Sequence, residues 1–180
     1  MFGPSLTGTH VRLRPVRITD LPRFSRWFAD PAIVRHWWTQ DVPWARWPLV
    51  AALLLVIGSL RPNAIVWVIE ADGRPIGHSS LRHIDTRTRT ATVAVLIGQT
   101  SEQRRGYARE AAALRNRFAV ARLGLRTLKA TALAENKASR GLMESSGYRL
   151  VRRTNTVIRG QERELLEFEL ALDQPGGGGA

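Results

Sequence analysis

The residues with the clearest chemical pattern are Gln103 to Ala108, which read QRRGYA. They lie between a predicted strand and a predicted helix, so this loop presents the unpaired N–H groups of a first helical turn at the positive end of the helix dipole. Such a helix start binds anions, and phosphates above all. Gly106 lets the backbone approach a bulky phosphate, while Arg104 and Arg105 add positive charge. The pattern is also compatible with an ordinary turn and two solvated arginines, so by itself it leaves both readings open.

The composition excludes several other kinds of chemistry. The 180 residues contain no cysteine, which excludes disulfide scaffolds, cysteine nucleophiles, iron–sulfur clusters and thiolate metal sites. The four histidines show no pair at helical ligand spacing, so we expect no metal. The formal net charge of +12 favours an anionic partner such as a phosphorylated cofactor. The arginines are dispersed over all segments without a recognition motif, so we expect no specific nucleic-acid partner.

Hydrophobic periodicity predicts the elements that must position the loop. A strand over Val11 to Arg14 precedes a helix that begins at Thr19 or Asp20, either of which can cap it. Three strands then form an antiparallel meander: Ile65 to Ile69, Ile76 to Ile84 and Thr90 to Ile97. The remaining elements are a helix from about Ala108 to Arg122, a strand over Leu128 to Leu133, a helix over Lys137 to Ser146, and strands over Tyr148 to Val157 and Arg163 to Leu170. This order predicts one α/β (α+β) domain over residues 1–173, followed by a flexible glycine-rich tail over 174–180.

One apolar segment, Leu49 to Leu60, imitates a membrane span. As a helix it would cover about 18 Å, against a hydrocarbon core of about 30 Å, so we expect no transmembrane segment. Because it is apolar nearly all round, it is expected to be buried on more than one side. Three roles stay open: packing against the domain or a second subunit in a homodimer, a wall of a substrate site, and peripheral membrane contact. No secretory signal opens the chain, so we expect a cytoplasmic location.

Three motifs in the right order resemble the GNAT superfamily of N-acetyltransferases. The stretch IGQTSEQRRGYAREA, Ile97 to Ala111, resembles the acyl-CoA pyrophosphate loop of the branch that acetylates ribosomal-protein N-termini, the RimJ/RimL-like branch. Ala134 to Ser139 and Glu144 to Tyr148 resemble the N-x-x-S and E-K-x-G-F signatures that follow it, and the opening VRLRPVRITDLPRF is similar to that branch. The resemblance covers about Thr9 to Leu170. It implies a twisted, mixed and mostly antiparallel sheet of about seven strands flanked by helices, with the fourth and fifth strands splayed apart.

The resemblance also implies roles for individual residues. Backbone groups of Leu96 and Ile97 would pair with the pantetheine arm of acetyl-CoA, or of another acyl-CoA, and one amide would polarise the thioester carbonyl. Amides of Arg104 to Arg109 would hold the pyrophosphate, and Asn136 would bind the cofactor or an ordered water. The cofactor-binding candidates are Leu96, Ile97, Gln103, Arg104, Arg105, Gly106, Tyr107, Ala108, Arg109 and Asn136.

The acid and base of the transfer are less clearly marked. Many family members have a tyrosine where this chain has Met143, which cannot donate a proton. Ser139 is the nearest alternative as general acid, although its hydroxyl is equally suited to bonding the helix backbone. His78 and His83 have a suitable intrinsic pKa for a base, but their spacing places them on opposite faces of a strand. Glu70, at a strand end, is expected to be solvated, and the base stays unassigned.

The sequence therefore predicts an acyl-CoA-dependent N-acyltransferase that moves acetyl to a primary amine by direct attack in a ternary complex. The amine would belong to a protein N-terminus or to a small molecule, and a polycationic acceptor fits the positive charge poorly. Because the family tyrosine and a glutamate on the fourth strand are missing, a non-catalytic acyl-CoA-binding or regulatory module is the alternative.

Overall fold

A computed structural model describes residues 3–36, 47–158 and 160–172. Its strands are β1 (Leu6–Thr7), β2 (Val11–Pro15), β3 (Ile65–Ala71), β4 (Arg74–Asp85), β5 (Thr90–Ile97), β6 (Thr127–Leu133), β7 (Arg149–Ile158) and β8 (Gln161–Ala171). Its α-helices are α1 (Leu21–Ala29), α2 (Pro31–Val34), α3 (Pro48–Gly58), α4 (Tyr107–Leu123) and α5 (Lys137–Ser145). The tail predicted over 174–180 and part of the turn predicted between the last two strands lie outside the described residues.

The strands form one sheet in the order β1-β2-β3-β4-β5-β6-β8-β7. Every neighbouring pair is antiparallel except β5 and β6, which run parallel. The mixed sheet, the three-strand meander and the order of the elements confirm the fold class predicted from the sequence. The eighth strand is β1, whose two residues are too short to give a periodic signal.

Helices cover both faces of the sheet. On one face, α4 and α5 pack over a core that includes Trp67, Leu128 and Phe168. On the other face, α1, α2 and α3 pack over a second core that includes Val66 and Val68. Because β3 lies between the two cores, its run from Ile65 to Ile69 is buried on both sides, as its continuous apolar sequence predicts.

Within the single chain helix α3 is buried on one side only, so the domain alone does not provide the expected burial on more than one side, and packing against a second subunit stays a prediction. Ala51, Ala52 and Leu55 pack inward, whereas Leu49, Leu54 and Ile57 are exposed. An apolar helix at the surface has no polar face to mark which side points outward, so periodicity could not predict this orientation. None of the helices in the described part of the chain has the length and apolarity needed to cross a bilayer.

An ion-pair cluster, Arg14 with Asp20 and Glu70, fixes the start of α1 against the sheet. Arg14 donates to both carboxylate oxygens of Asp20 (2.7 and 2.8 Å) and, through Nε, to Glu70 at 2.7 Å. Asp20 therefore binds Arg14 and the Arg17 amide, and its side chain does not cap α1 as expected. Glu70 is paired in this cluster at 15% side-chain exposure, so the expectation that it is solvated is also wrong.

Candidate functional site

A gap opens in the sheet between β5 and β6. These strands pair only from Thr90 with Thr127 to Thr92 with Lys129. Beyond that point β5 keeps its partner β4 as far as Ile97, and β6 keeps its partner β8 as far as Leu133. The two strands therefore diverge toward their carboxyl ends. They are the fourth and fifth strands of the sequence prediction, which the family resemblance expected to be splayed apart.

The hydrogen-bond alternation of β4 and β5 decides which backbone groups face this gap. The Gly98 amide donates to the Ile76 carbonyl at 2.8 Å, and the register from there to Arg82 is unbroken. Because hydrogen-bonded pairs alternate along antiparallel strands, Leu96 and His78 form such a pair, and the backbone polar groups of Leu96 point to β4. A Cβ atom on Gly77 would collide with the Leu96 carbonyl oxygen, which agrees with that orientation.

The same alternation turns the backbone groups of Val95 and Ile97 toward the gap. The Ile97 carbonyl accepts a hydrogen bond from Gln103 Nε2 at 3.0 Å, which joins the end of β5 to the glycine loop. Sequence reasoning named Ile97 and missed Val95. The signal that finds Val95 is the cross-strand register, which a single sequence does not contain.

The glycine loop, residues 103–106, lies at the open end of the gap and is exposed. Arg104 (φ 64°) and Gly106 (φ 83°) both adopt the left-handed conformation, and α4 begins directly afterwards at Tyr107. Alternating backbone conformations of this kind form concave sets of N–H groups that hold anions. A left-handed arginine is strained, and such strain concentrates at functional sites. The loop therefore has the backbone geometry of a phosphate-binding site.

The space in front of Gly106 is open. A Cβ atom built there meets no described atom within 4 Å, so no protein contact requires glycine at this position. The arginines leave the space free as well. Arg105 pairs with Glu102 (2.7 Å) and lies 5.9 Å above the Tyr107 ring, while Arg109 is exposed on the first turn of α4. The loop therefore leaves free space in front of Gly106.

A second helix start lies at the same edge of the sheet. Helix α5 follows β6 as α4 follows β5, and the carboxyl ends of these parallel strands lie at one edge. Asn136 caps α5 by accepting from the Ser139 amide at 3.1 Å, and both residues are half-buried. Met143, at the position of the family tyrosine, is buried in the core. Ligands of α/β sheets bind beyond the carboxyl ends of strands at such a divergence.

The two histidines of β4 lie on the same side of the sheet, contrary to expectation. His78 is fully buried and meets the rings of Phe24 and Phe28 edge-on. The register of β4 shifts between Arg82 and Asp85, and His83 (φ 50°) lines a cavity under α3. The β-bulge breaks the alternation on which the sequence argument depended. Burial lowers the pKa of His78 to about 3, so His78 is a poor general base at neutral pH.

The buried, neutral His78 gives the protein an acid-sensitive stability. An unfolded histidine takes up a proton below its ordinary pKa of about 6.5, whereas folded His78 does so only near 3. Its contribution is thus complete above pH 6.5 and is lost as the pH falls toward 3, at up to about 1.4 kcal/mol per pH unit. Urea unfolding of a His78→Leu variant is expected to show a correspondingly shallower acid slope. An unchanged slope, or the same loss in His83→Leu, would contradict this assignment.

A gap in a mixed sheet, closed at one end by strand pairing and bordered at the other by a glycine loop and two helix starts, is typical of proteins that bind a phosphorylated co-substrate. Residues 10–149 match the family model of the acetyltransferase (GNAT) domain, which is well over half of the chain. The chain therefore belongs to the GNAT acetyltransferase family and is an acyl-CoA-dependent N-acetyltransferase. This confirms the resemblance seen in the sequence and favours the enzyme over the non-catalytic module.

Solved structures show the same fold at low sequence identity. RimJ of Mycobacterium smegmatis in complex with CoA-disulfide is 22% identical, with a TM-score of 0.77 over 94% of this chain and 86% of that one. A Salmonella typhimurium acetyl transferase that modifies the N-terminal serine of the 50S subunit protein L7/L12 is 13% identical, with a TM-score of 0.79 over 92% and 97%. Spermidine N-acetyltransferase from Vibrio cholerae, in complex with CoA and spermine, is 18% identical, with a TM-score of 0.78 over 92% of this chain and 97% of that one. No curated protein sequence matches the chain significantly.

Proposed function

We propose that the protein transfers acetyl from acetyl-CoA to a primary amine by direct attack in a ternary complex, and that the glycine loop holds the pyrophosphate of the co-substrate. The observation that carries this proposal is the placement of the left-handed loop at the open end of the β5–β6 gap. The amides from Arg104 to Arg109 are assigned to the pyrophosphate. Asn136, at the start of α5, is assigned to the cofactor or an ordered water.

The gap is assigned to the pantetheine arm. Its amides would pair with the backbone groups of Ile97 and Val95, which face the gap, as an added strand would. The sequence predicts the same role for Leu96, but its backbone polar groups point to β4, so it is not assigned to the pantetheine arm; its side chain packs on the α1–α3 side of the sheet. One amide of β5 would polarise the thioester carbonyl, and preorganised amides aimed at developing charge are effective catalysts. The neutral amine forms the new C–N bond as the C–S bond breaks, the sulfur leaves as a thiolate, and the proton that the nitrogen releases passes to water.

Ser139 is assigned as the group that donates a proton to the departing thiolate. Its amide is held by Asn136, so the start of α5 fixes the serine beside the end of β6. A Ser139→Ala variant is expected to lower kcat about 10-fold with little change in KM for acetyl-CoA, because the hydroxyl acts on the leaving group. Stopped-flow thiol release checks this, with Ser145→Ala at the other end of α5 as the matched control. Equal kcat in wild type and Ser139→Ala would remove Ser139 from the mechanism.

The acceptor is proposed to be the N-terminus of a protein or a small-molecule amine. The structure of the enzyme that modifies the N-terminal serine of L7/L12 is an example of the first class, and the spermidine N-acetyltransferase is an example of the second. Thiol release from acetyl-CoA across peptides and small amines, beside a thermal shift with CoA alone, tests the proposal. CoA binding without turnover of any amine would instead support a binding module. A cytoplasmic location and a homodimer stay predictions, which fractionation and light scattering test.

A further inference from the structure

A cavity of about 350 Å³ lies under α3, on the face of the sheet that α1 and α3 cover. We call it the α3 pocket. Its walls are apolar and include Phe28, Leu54, Leu55 and Val66. Its polar side is formed by Arg61, Asn63, Arg82 and His83. None of the described residues that line the pocket is an aspartate or glutamate, so the pocket has apolar walls and positive charge at one side.

The β-bulge in β4 aims two consecutive side chains into this pocket. In a regular strand Arg82 and His83 would point to opposite faces. The register shift and the left-handed His83 (φ 50°) bring both to the α3 pocket, while Ile84 packs into the opposite core. The Ile84 amide donates to the Asn63 carbonyl at 2.9 Å, which ties the bulge to the turn that precedes β3. Bulges commonly re-aim side chains next to binding sites.

The Arg82 guanidinium is half-buried and has no counter-ion in the part of the chain that the structure describes. Within residues 3–36, 47–158 and 160–172 it forms no ion pair and no hydrogen bond, and burial lowers its pKa. By contrast, the half-buried Arg14 is paired with two carboxylates. Removing an arginine from water without a partner is costly, so an anion that enters the pocket would relieve that cost. Guanidinium binds a carboxylate through two parallel hydrogen bonds.

The α3 pocket lies one strand away from the closed end of the β5–β6 gap, because β5 separates β4 from that gap. Arg82 on β4 is the cross-strand neighbour of Thr92, the last residue of β5 that still pairs with β6. From there to Val95 is about 10 Å of strand at about 3.3 Å per residue. A ligand whose carboxylate is held at Arg82 can therefore extend along β5 and place an amine, one or two residues away from that carboxylate, toward Val95, whose backbone groups face the gap.

We propose that the α3 pocket is the acceptor site and that it selects amines which also carry a carboxylate. Arg82 binds the carboxylate, and the apolar residues of α3 contact the part of the acceptor that lies between the carboxylate and the amine. This inference depends on the proposed function, since it names the acceptor class for the same reaction. Acceptors of this class include peptides with an acidic residue next to the N-terminus and ω-amino acids. Polyamines are excluded, because their charge has the same sign as Arg82.

The test compares matched acceptors in wild type and in Arg82→Met, which keeps the length of the side chain and removes its charge. The acceptors are ε-aminocaproate and its amide, and peptides with glutamate or glutamine as second residue. Wild type is expected to favour each acid over its neutral partner in kcat/KM, and Arg82→Met is expected to lose about 10- to 100-fold on the acids alone. Arg82→Lys keeps the charge and should retain part of the preference. Arg126→Met, which removes an exposed arginine outside the pocket, is the matched control.

A second measurement is independent of turnover. The N-acetylated acids and amides are titrated calorimetrically into wild type and Arg82→Met, each saturated with CoA. Weaker binding of the acids to the variant supports the inference, whereas equal binding to both proteins overturns it. Turnover of acids and amides at equal rates by wild type also overturns it and leaves the proposed function intact. Absence of turnover with every amine contradicts the proposed function, and the calorimetric comparison still decides whether Arg82 binds a carboxylate.

Discussion

A Gly106→Val variant is expected to bind coenzyme A at least about 100-fold more weakly than wild type while remaining folded. Gly106 has φ 83°, where a β-branched residue costs about 1–2 kcal/mol. The new side chain would also fill the open space in front of the loop amides, where no described atom lies within 4 Å of its Cβ. Several charge-assisted hydrogen bonds to the pyrophosphate would be lost together. Isothermal titration with CoA measures the change.

Gly124 provides a matched control for backbone strain. It lies at the other end of α4, has φ 61°, and a Cβ there also meets no described atom within 4 Å. Gly124→Val should therefore lose similar stability in a thermal melt and keep its affinity for CoA. If both variants lose affinity to the same extent, the effect is one of helix stability, and the assignment of the loop to the pyrophosphate fails.

An Arg14→Met variant is expected to lower the free energy of unfolding by about 3–5 kcal/mol at neutral pH. The Arg14 side chain is 11% exposed, and it is the shared partner of Asp20 (7%) and Glu70 (15%). Its removal would leave two buried carboxylates facing each other without a cation. Because the cluster fixes the start of α1, which covers His78, the loss should spread to the second core. Urea unfolding followed by tryptophan fluorescence measures it.

Arg12, which lies on the same strand as Arg14, provides the control variant. It is exposed and donates one long hydrogen bond, 3.4 Å, to the Ser5 hydroxyl. Arg12→Met should change the free energy of unfolding by no more than about 0.5 kcal/mol. A similar loss in both variants would show that the charge of β2 matters more than the buried pairing.

The parts of the fold that depend on local pattern were predictable from the sequence. Strand β5 begins and ends at the predicted residues, because Thr90 to Ile97 alternates between faces and is bounded by turns. The turn at Asp72 and Gly73 forms with both residues left-handed, as its sequence indicates. Gly124 ends α4 in the left-handed conformation for the same reason.

The parts that depend on pairing between distant residues were not predictable. The bulge that turns His83 toward α3 has no glycine or other local marker, since it arises from the register of β4 against β5. Likewise, the choice between Leu96 and Val95 as a gap-facing residue depends on which cross-strand pairs are hydrogen-bonded. The pairing of Glu70 with Arg14 joins residues 56 positions apart. A single sequence records none of these distances.

The short parallel contact between β5 and β6 has a consequence for self-association. A strand without a neighbour normally offers its amides and carbonyls to strands of other molecules, which promotes aggregation. Here the unpaired edges of β5 and β6 face each other inside the sheet, and three residue pairs hold the two strands together at one end. These backbone groups therefore face a partner strand across the gap and do not lie on an outer edge of the sheet, so the strands that can pair edge-to-edge with another molecule are β1 and β7.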